Sequence, residues 1–191
     1  DWSSDVCSSD LDSELQEKPV EELAGSVGGE KGLRIPKLTL ASPPAGDSGA
    51  VAEAAKLLVA AENPVIVADR YARTPAGMKY LVELAEALQC GVIDLAGRMN
   101  FPNRHALAAG GGAVGAADVI LGLEVASLWG AVNTMNDRLY RSDESRIKPT
   151  AKLISITAMD LYSKSNYQDF QRLQDVELAI AADAEATMPA L

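Results

Sequence analysis

The sequence predicts an α/β domain with a mostly parallel sheet. Two observations carry that reading. Five short apolar runs recur along the chain, and a helical pattern or a long crossover separates each run from the next. A third sharpens it: "PVIVAD" (Pro64–Asp69) is a continuous apolar run rich in β-branched residues, the pattern of a strand covered on both faces.

Taken in order, Asp47 or Ser48 is placed to cap a first helix, "SGAVAEAAKLLVAAEN". In it Val51, Ala54, Leu57, Leu58 and Ala61 recur at helical spacing, and the helix ends near Asn63. The first strand follows at Pro64–Asp69. Thr74 caps a second helix, "TPAGMKYLVELAEALQ". Pro75 occupies its first position, where a missing N–H costs nothing, and Met78, Leu81, Leu84, Ala85 and Leu88 share one stripe. "CGVIDL" is a strand, "AGRMNFPNRHALAAGGG" a loop, and "ADVILGLE" a strand. An irregular crossover from Val125 to Thr150 leads to the strand "AKLISITA". After a polar segment come the strand "VELAIAAD" and a helix start at "AEATMPAL". Met188–Leu191 has no terminating glycine and no basic last turn, so this helix is expected to run on past Leu191.

The N-terminal stretch fits none of this. "DWSSDVCSSDL" has no basic residue and no apolar run, so it is not a signal peptide. Asp5 to Leu11 can be written GAC GTG TGC TCT TCC GAT CT, which looks like a sequencing-library adapter translated in frame. Residues 1–11 are accordingly expected to be an assembly artefact and the chain a fragment. Ala24–Pro44, with four glycines between Gly25 and Gly32, reads as an extended linker.

Composition is that of an ordinary globular domain, 48% apolar and 23% charged. Setting aside Asp1, Asp5 and Asp10 moves the net charge from −10 to −7. An acidic chain without clustered Lys and Arg argues against nucleic acid and anionic membrane as partners. No apolar run approaches the about 18 residues a spanning helix needs. Without Cys7, Cys90 stands alone, which leaves no disulfide framework and no cysteine metal site and fits a reducing cytoplasm.

Gly110-x-Gly112-x-x-Gly115 formally matches the dinucleotide fingerprint. That motif needs a strand before it and a helix after it, whereas the next element here is a strand. A loop leading to a one-turn helix is expected instead. The first strand-to-helix turn, where a phosphate loop belongs, carries Asp69, Arg70 and Tyr71, whose side chains block close backbone approach. Arg70 or Arg73 could still attract a phosphate by charge; a solvated strand end is the plainer reading. His105, the single histidine, lies in a loop without catalytic or metal partners in sequence, and packing is its expected role. No nucleophile elbow or P-loop occurs. Trp129 and Tyr140 flank "GAVNTMNDRLYRSDESR", read as an exposed contact surface.

Together, "AAKLLVAAENPVIVADRYARTPAGMKYLVELAEAL", "CGVIDLAGRMNFPNRHALAAG", "AADVILGLE" and "AKLISI" before "LAIAADAEATMPAL" resemble the central domain of thiamine diphosphate-dependent enzymes, and within them the acetolactate synthase large subunit and its relatives. The resemblance implies a Rossmann-like (DHS-like NAD/FAD-binding) three-layer domain with a mostly parallel six-stranded sheet over residues 45–191. It also implies that 12–44 are the end of a pyrimidine-binding domain and a linker.

In such enzymes thiamine diphosphate and Mg²⁺ lie between the pyrimidine and diphosphate domains of neighbouring subunits, so those flanking domains and a homo-oligomer are the implied partners. The cofactor carries the chemistry on 2-keto acids. Its activating Glu and the Gly-Asp-Gly metal motif are absent from this sequence, and the fragment is expected to be inactive alone. Some central domains bind FAD; here Asp69 and Arg70 replace the glycines many relatives carry after the first strand, and Ala106 stands where relatives often have Pro. Arg98, Gly110, Gly111 and Gly112 are the cofactor-binding positions an FAD would use. The alternative is a free-standing FAD- or NAD-type nucleotide-binding domain.

Overall fold

The carboxylate of Asp47 starts the first helix by accepting from the amides of Gly49 and Ala50 at 3.0 and 3.1 Å. The computed structural model describes residues 42–137, 139, 141–161 and 172–191. The expectations for residues 1–11, for the linker to residue 41 and for Tyr140 lie outside the described residues.

Helix α1 (Ser48–Ala60) leads into β1 (Pro64–Ala68), which is buried at every position. Thr74 caps α2 (Pro75–Leu88) through the Gly77 amide, with Pro75 opening the first turn as expected. Gln89, in the left-handed region at φ 49°, ends the helix. Then follow β2 (Gly91–Asp94), a 3₁₀ turn at Gly111–Gly115, and β3 (Val119–Leu123), again buried throughout. The turn of helix expected after the glycines is therefore present.

The crossover from Val125 to Thr150 departs from the irregular segment expected. Ser127 caps a five-residue helix, α3 (Leu128–Val132), and an antiparallel ribbon follows, β4 (Asn133–Asn136) with β5 (Ser142–Ser145). A helix of little more than one turn shows no periodicity, and "NTMN" and "SDES" lack the β-branched residues that advertise a strand. Trp129 is not part of an exposed surface. It is 8% exposed, and the Arg172 guanidinium lies 4.9 Å over its ring. The chain continues through β6 (Lys152–Ile156), β7 (Leu178–Ile180) and the short α4 (Ala184–Thr187), which passes into a 3₁₀ turn at Met188–Ala190.

Five strands form one parallel sheet in the order β2-β1-β3-β6-β7, with Ile66 opposite Val92 and Leu121, and Leu121 opposite Ile154. Alternate residues serve two cores. Ile66, Leu121, Ile154 and Ile156 meet Val51 and Leu58 of α1, Leu81 and Ala85 of α2, and Met188. Val65, Val67 and Ile120 meet Val114, Leu128 and Val132 on the other side. This is the three-layer arrangement expected.

The resemblance implies six strands in the sheet and five are seen among the described residues; beside β2, in the segment read as a loop, Ala108 makes a single parallel bridge to Val92. The Val92 amide donates to the Leu107 carbonyl and the Ala109 amide to the Val92 carbonyl, both at 2.8 Å. "ALAAGGG" offers no β-branched residue to extend that pairing.

Cys90 is buried as α2 turns into β2, and desolvation pushes its thiol from an ordinary 9.0 up to about 11. The fold therefore favours the neutral thiol. Its contribution to stability is complete below pH 9.0 and is lost as the pH rises toward 11. In a Cys7→Ser chain, a thiol-specific colorimetric reagent at pH 8 is expected to label Cys90 only slowly in buffer and at once in guanidinium; prompt labelling in buffer contradicts this burial.

Candidate functional site

In a doubly wound sheet, ligands lie outside the carboxyl ends of the strands where the strand order reverses. In this sheet that point falls between β1 and β3. The residues leaving those strands are Asp69 and Arg70 after β1 and Glu124 after β3, beside Asp94 at the end of β2 and Thr157 after β6. Arg70 is exposed, but Asp69 and Glu124 are each only 8% exposed, so the end of β1 is not the solvated one expected.

Asn100 joins the ends of β1 and β2. It is fully buried; its side-chain oxygen accepts from the Ala72 amide at 2.9 Å, and its side-chain nitrogen donates to the Asp69 carbonyl at 2.6 Å and to Asp94 Oδ1 at 2.8 Å. Asp94 Oδ2 in turn accepts from the amides of Asn100 and Phe101 at 2.9 and 3.1 Å. Asp69 Oδ2 accepts from the Ala126 amide at 3.0 Å. The loop passes so close to this carboxylate that a Cβ at Gly97 would stand 2.0 Å from Asp69 Oδ1, which is what requires glycine there.

A second knot ties α2 to α4. Arg73 forms an ion pair with the buried Asp183, and that hydrogen bond, more than the neighbouring charges, holds its guanidinium above the ordinary value. Glu185 accepts from the Thr74 amide at 3.2 Å and the Thr74 hydroxyl at 2.7 Å. Buried Tyr71 donates to the Gly77 carbonyl at 2.9 Å; desolvation first, then Glu185 and Asp183, push its phenol well up. The charge of Arg73, a candidate to attract phosphate, is thus met within the chain.

Beside β2 opens a groove of about 860 Å³ lined by Met78, Val92, Met99, Phe101 and Ala108, with Asp94 and Arg98 among its charged lining. Arg98 is the predicted site residue found there. Gly110, Gly111 and Gly112 do not line it. A Cβ at Gly110 or Gly112 meets nothing within 4 Å, so neither serves a close approach, and the Gly111 carbonyl accepts from Arg146. His105 packs as expected. Its ring stands edge-on to Phe101 at 4.9 Å, Nδ1 accepts from the Leu107 amide at 3.2 Å, and Nε2 lies 3.2 Å from Glu86. Among the described residues no group of three or more His, Cys, Asp or Glu is arranged to hold a metal. No described helix is long and apolar enough to cross a membrane.

The profile of the family described as thiamine pyrophosphate enzyme, central domain, matches residues 51–191. The chain belongs to that family. No match is found among curated proteins. Among solved structures, this central domain is similar to an enzyme from Mycobacterium smegmatis described as thiamin diphosphate-dependent, with a TM-score of 0.58 and 21% identity over 79% of this chain and 28% of that one. It is also similar to benzoylformate decarboxylase from Polynucleobacter necessarius, with a TM-score of 0.58 and 18% identity over 83% and 30% of the two chains. The chain thus spans less than a third of either structure.

A pyrophosphate does not fit the carboxyl edge of this central domain. The donors beside Asp69 and Glu124 are already committed to those carboxylates, and an incoming phosphate meets like charge. Asn100 and Glu124 were not singled out from sequence. An Asn in a loop or a Glu ending a strand is ordinarily solvated, and no local pattern announces burial. Asn100→Leu, with the same number and branching of side-chain heavy atoms, leaves the Ala72 amide and Asp69 carbonyl without their partner. It is expected to destabilise the domain by about 1–3 kcal/mol in chemical denaturation, and a loss under about 0.5 kcal/mol contradicts this linking role.

Proposed function

We propose that this chain is the central domain of a longer thiamine diphosphate-dependent enzyme acting on 2-keto acids, an acetolactate synthase-like carboligase or decarboxylase. The observation that carries the reading is the family match over residues 51–191. The share of the two solved structures covered, 28% and 30%, is that of one domain among several and supports flanking domains in the whole protein. Thiamine diphosphate and Mg²⁺ belong between a pyrimidine and a diphosphate domain in a homo-oligomer in the cytoplasm. There the cofactor supplies the carbanion that attacks the keto carbon.

This chain's part is architectural. Its doubly covered sheet is a rigid body against which neighbouring domains can seat, and Met99, 77% exposed, and Leu95, 42% exposed, lie on or next to the groove beside β2 as apolar contact surface. Arg98, in the groove beside β2 and apart from Gly110–Gly112, is retained as the place to look for a nucleotide. The buried carboxylates at the strand ends favour a domain without FAD and count against the free-standing nucleotide-binding alternative.

Two measurements test the reading. Resequencing the locus on both sides of Asp12 and Leu191 is expected to show the frame continuing into a pyrimidine domain upstream and a Gly-Asp-Gly domain downstream. Start and stop codons bounding these residues in clean genomic DNA overturn it. Titration of the purified chain with FAD or NAD is expected to leave its melting temperature unchanged, because only a ligand that binds the folded state raises it. A saturable rise favours the alternative.

A further inference from the structure

His105 is the single histidine of the chain, and both its ring nitrogens are engaged. Nδ1 accepts from the Leu107 amide at 3.2 Å, and Nε2 stands 3.2 Å from the Glu86 carboxylate on α2. A backbone amide only donates, so Nδ1 is bare and Nε2 carries the proton that Glu86 accepts; the hydrogen bonds assign the neutral Nε2–H tautomer. The same short segment covers the outer edge of β2. The Leu107 carbonyl accepts from the Val92 amide and the Ala109 amide donates to the Val92 carbonyl, both at 2.8 Å, and Ala108 between them lines the groove with Val92 and Phe101. One ring therefore joins α2 to the segment that walls the groove.

A second proton, taken up on Nδ1, turns that nitrogen from acceptor to donor and sets N–H against N–H at Leu107. The bond on the segment side is lost, while the imidazolium keeps a stronger, charge-assisted bond to Glu86 on the helix side. Glu86 is the charged group within hydrogen-bonding distance of the ring. On the same helix Lys79 and Glu83 pair with each other at 3.6 Å, and Tyr80 acts on Tyr71. On β2, both oxygens of Asp94 are occupied by the amides of Ala96, Asn100 and Phe101 and the side chain of Asn100. On the loop, Arg104 is exposed and the Phe101 ring stands edge-on to the imidazole. We propose that His105 is a pH-sensitive latch on the groove beside β2: neutral, it holds the Leu107–Ala109 segment against Val92, and protonated, it releases that segment and lets the groove wall move. The latch rests on contacts within this chain and is independent of the substrate.

A single histidine makes the test direct. In the full chain, labelled with nitrogen-15, the ring is titrated by NMR from about pH 8 to about pH 5, and amide hydrogen exchange is followed as protection factors, which remove the intrinsic pH dependence of exchange. At the upper end Nδ1 is expected to give the signal of a bare nitrogen and Nε2 that of a protonated one. As the ring takes up its second proton, protection at Val92 and Ala109 is expected to fall about fivefold, the loss of one ordinary hydrogen bond, and protection at Leu121 in the middle of the sheet to hold. Constant protection at Val92 and Ala109 through the titration of the ring overturns the latch, and so does a fall that Leu121 shares equally.

Two variants separate the ring from other acid effects. In His105→Gln nothing on the segment titrates over this range, and protection at Val92 and Ala109 is expected to stay flat; a fall like that of the unaltered chain refutes the proposal. Glu86→Gln removes the charge that favours the imidazolium, so the midpoint of the ring and that of the loss of protection are expected to move together to lower pH. Midpoints that part company refute it. Glu86 is exposed on its helix, so this second variant carries the test if His105→Gln does not fold.

Discussion

Covering both faces of the central strands is the constraint on which the rest of this structure depends. β1 and β3 are buried at every position, so α1 and α2 must close one side while the 3₁₀ turn and α3 close the other. A strand with no free face can offer polar groups only at its ends. Chemistry and contact in this domain are therefore confined to the edges of the sheet, and the carboxyl edge is where the chain concentrates its buried charge.

That edge is closed from within. Asn100 satisfies groups from β1, β2 and the following loop; Asp69 takes the Ala126 amide; Glu124 gathers donors from beyond β6 and β7. Each buried polar group has a partner supplied by a different part of the chain, as low-dielectric surroundings demand. Folds of this class commonly leave amides at the same edge free for a phosphate. Filling them with carboxylates ties the strand ends together through the chain's own side chains.

The outer edge beside β2 behaves differently. One bridge at Ala108 shields the strand instead of a full sixth strand, and the loop that makes it leaves Met99 exposed and an apolar groove open. The opposite ends of the crossover show the same economy. Arg172 covers Trp129, and Asn133 reaches both the Trp129 carbonyl and Gln174 at 2.9 Å, so the ribbon leaves α3 anchored to a distant segment.

The sequence by itself determined what depends on local pattern. The apolar runs, the Asp47 and Thr74 caps, Pro75 and the helical stripes specify five strands and two long helices because periodicity and capping act within a few residues. The resemblance in the order of those elements also pointed to the thiamine pyrophosphate enzymes. Tertiary structure alone decided what those elements meet. Glu124, Asn100 and Gly97 are unremarkable in sequence, and their roles arise from partners 33 and 60, 28 and 31, and 28 positions away. The five-residue α3, the polar ribbon and the burial of Trp129 were likewise invisible locally, since contacts made across the fold overrode weak propensities. Hydrogen bonds between strand ends are set by which strands become neighbours, and that order is a property of the packed sheet.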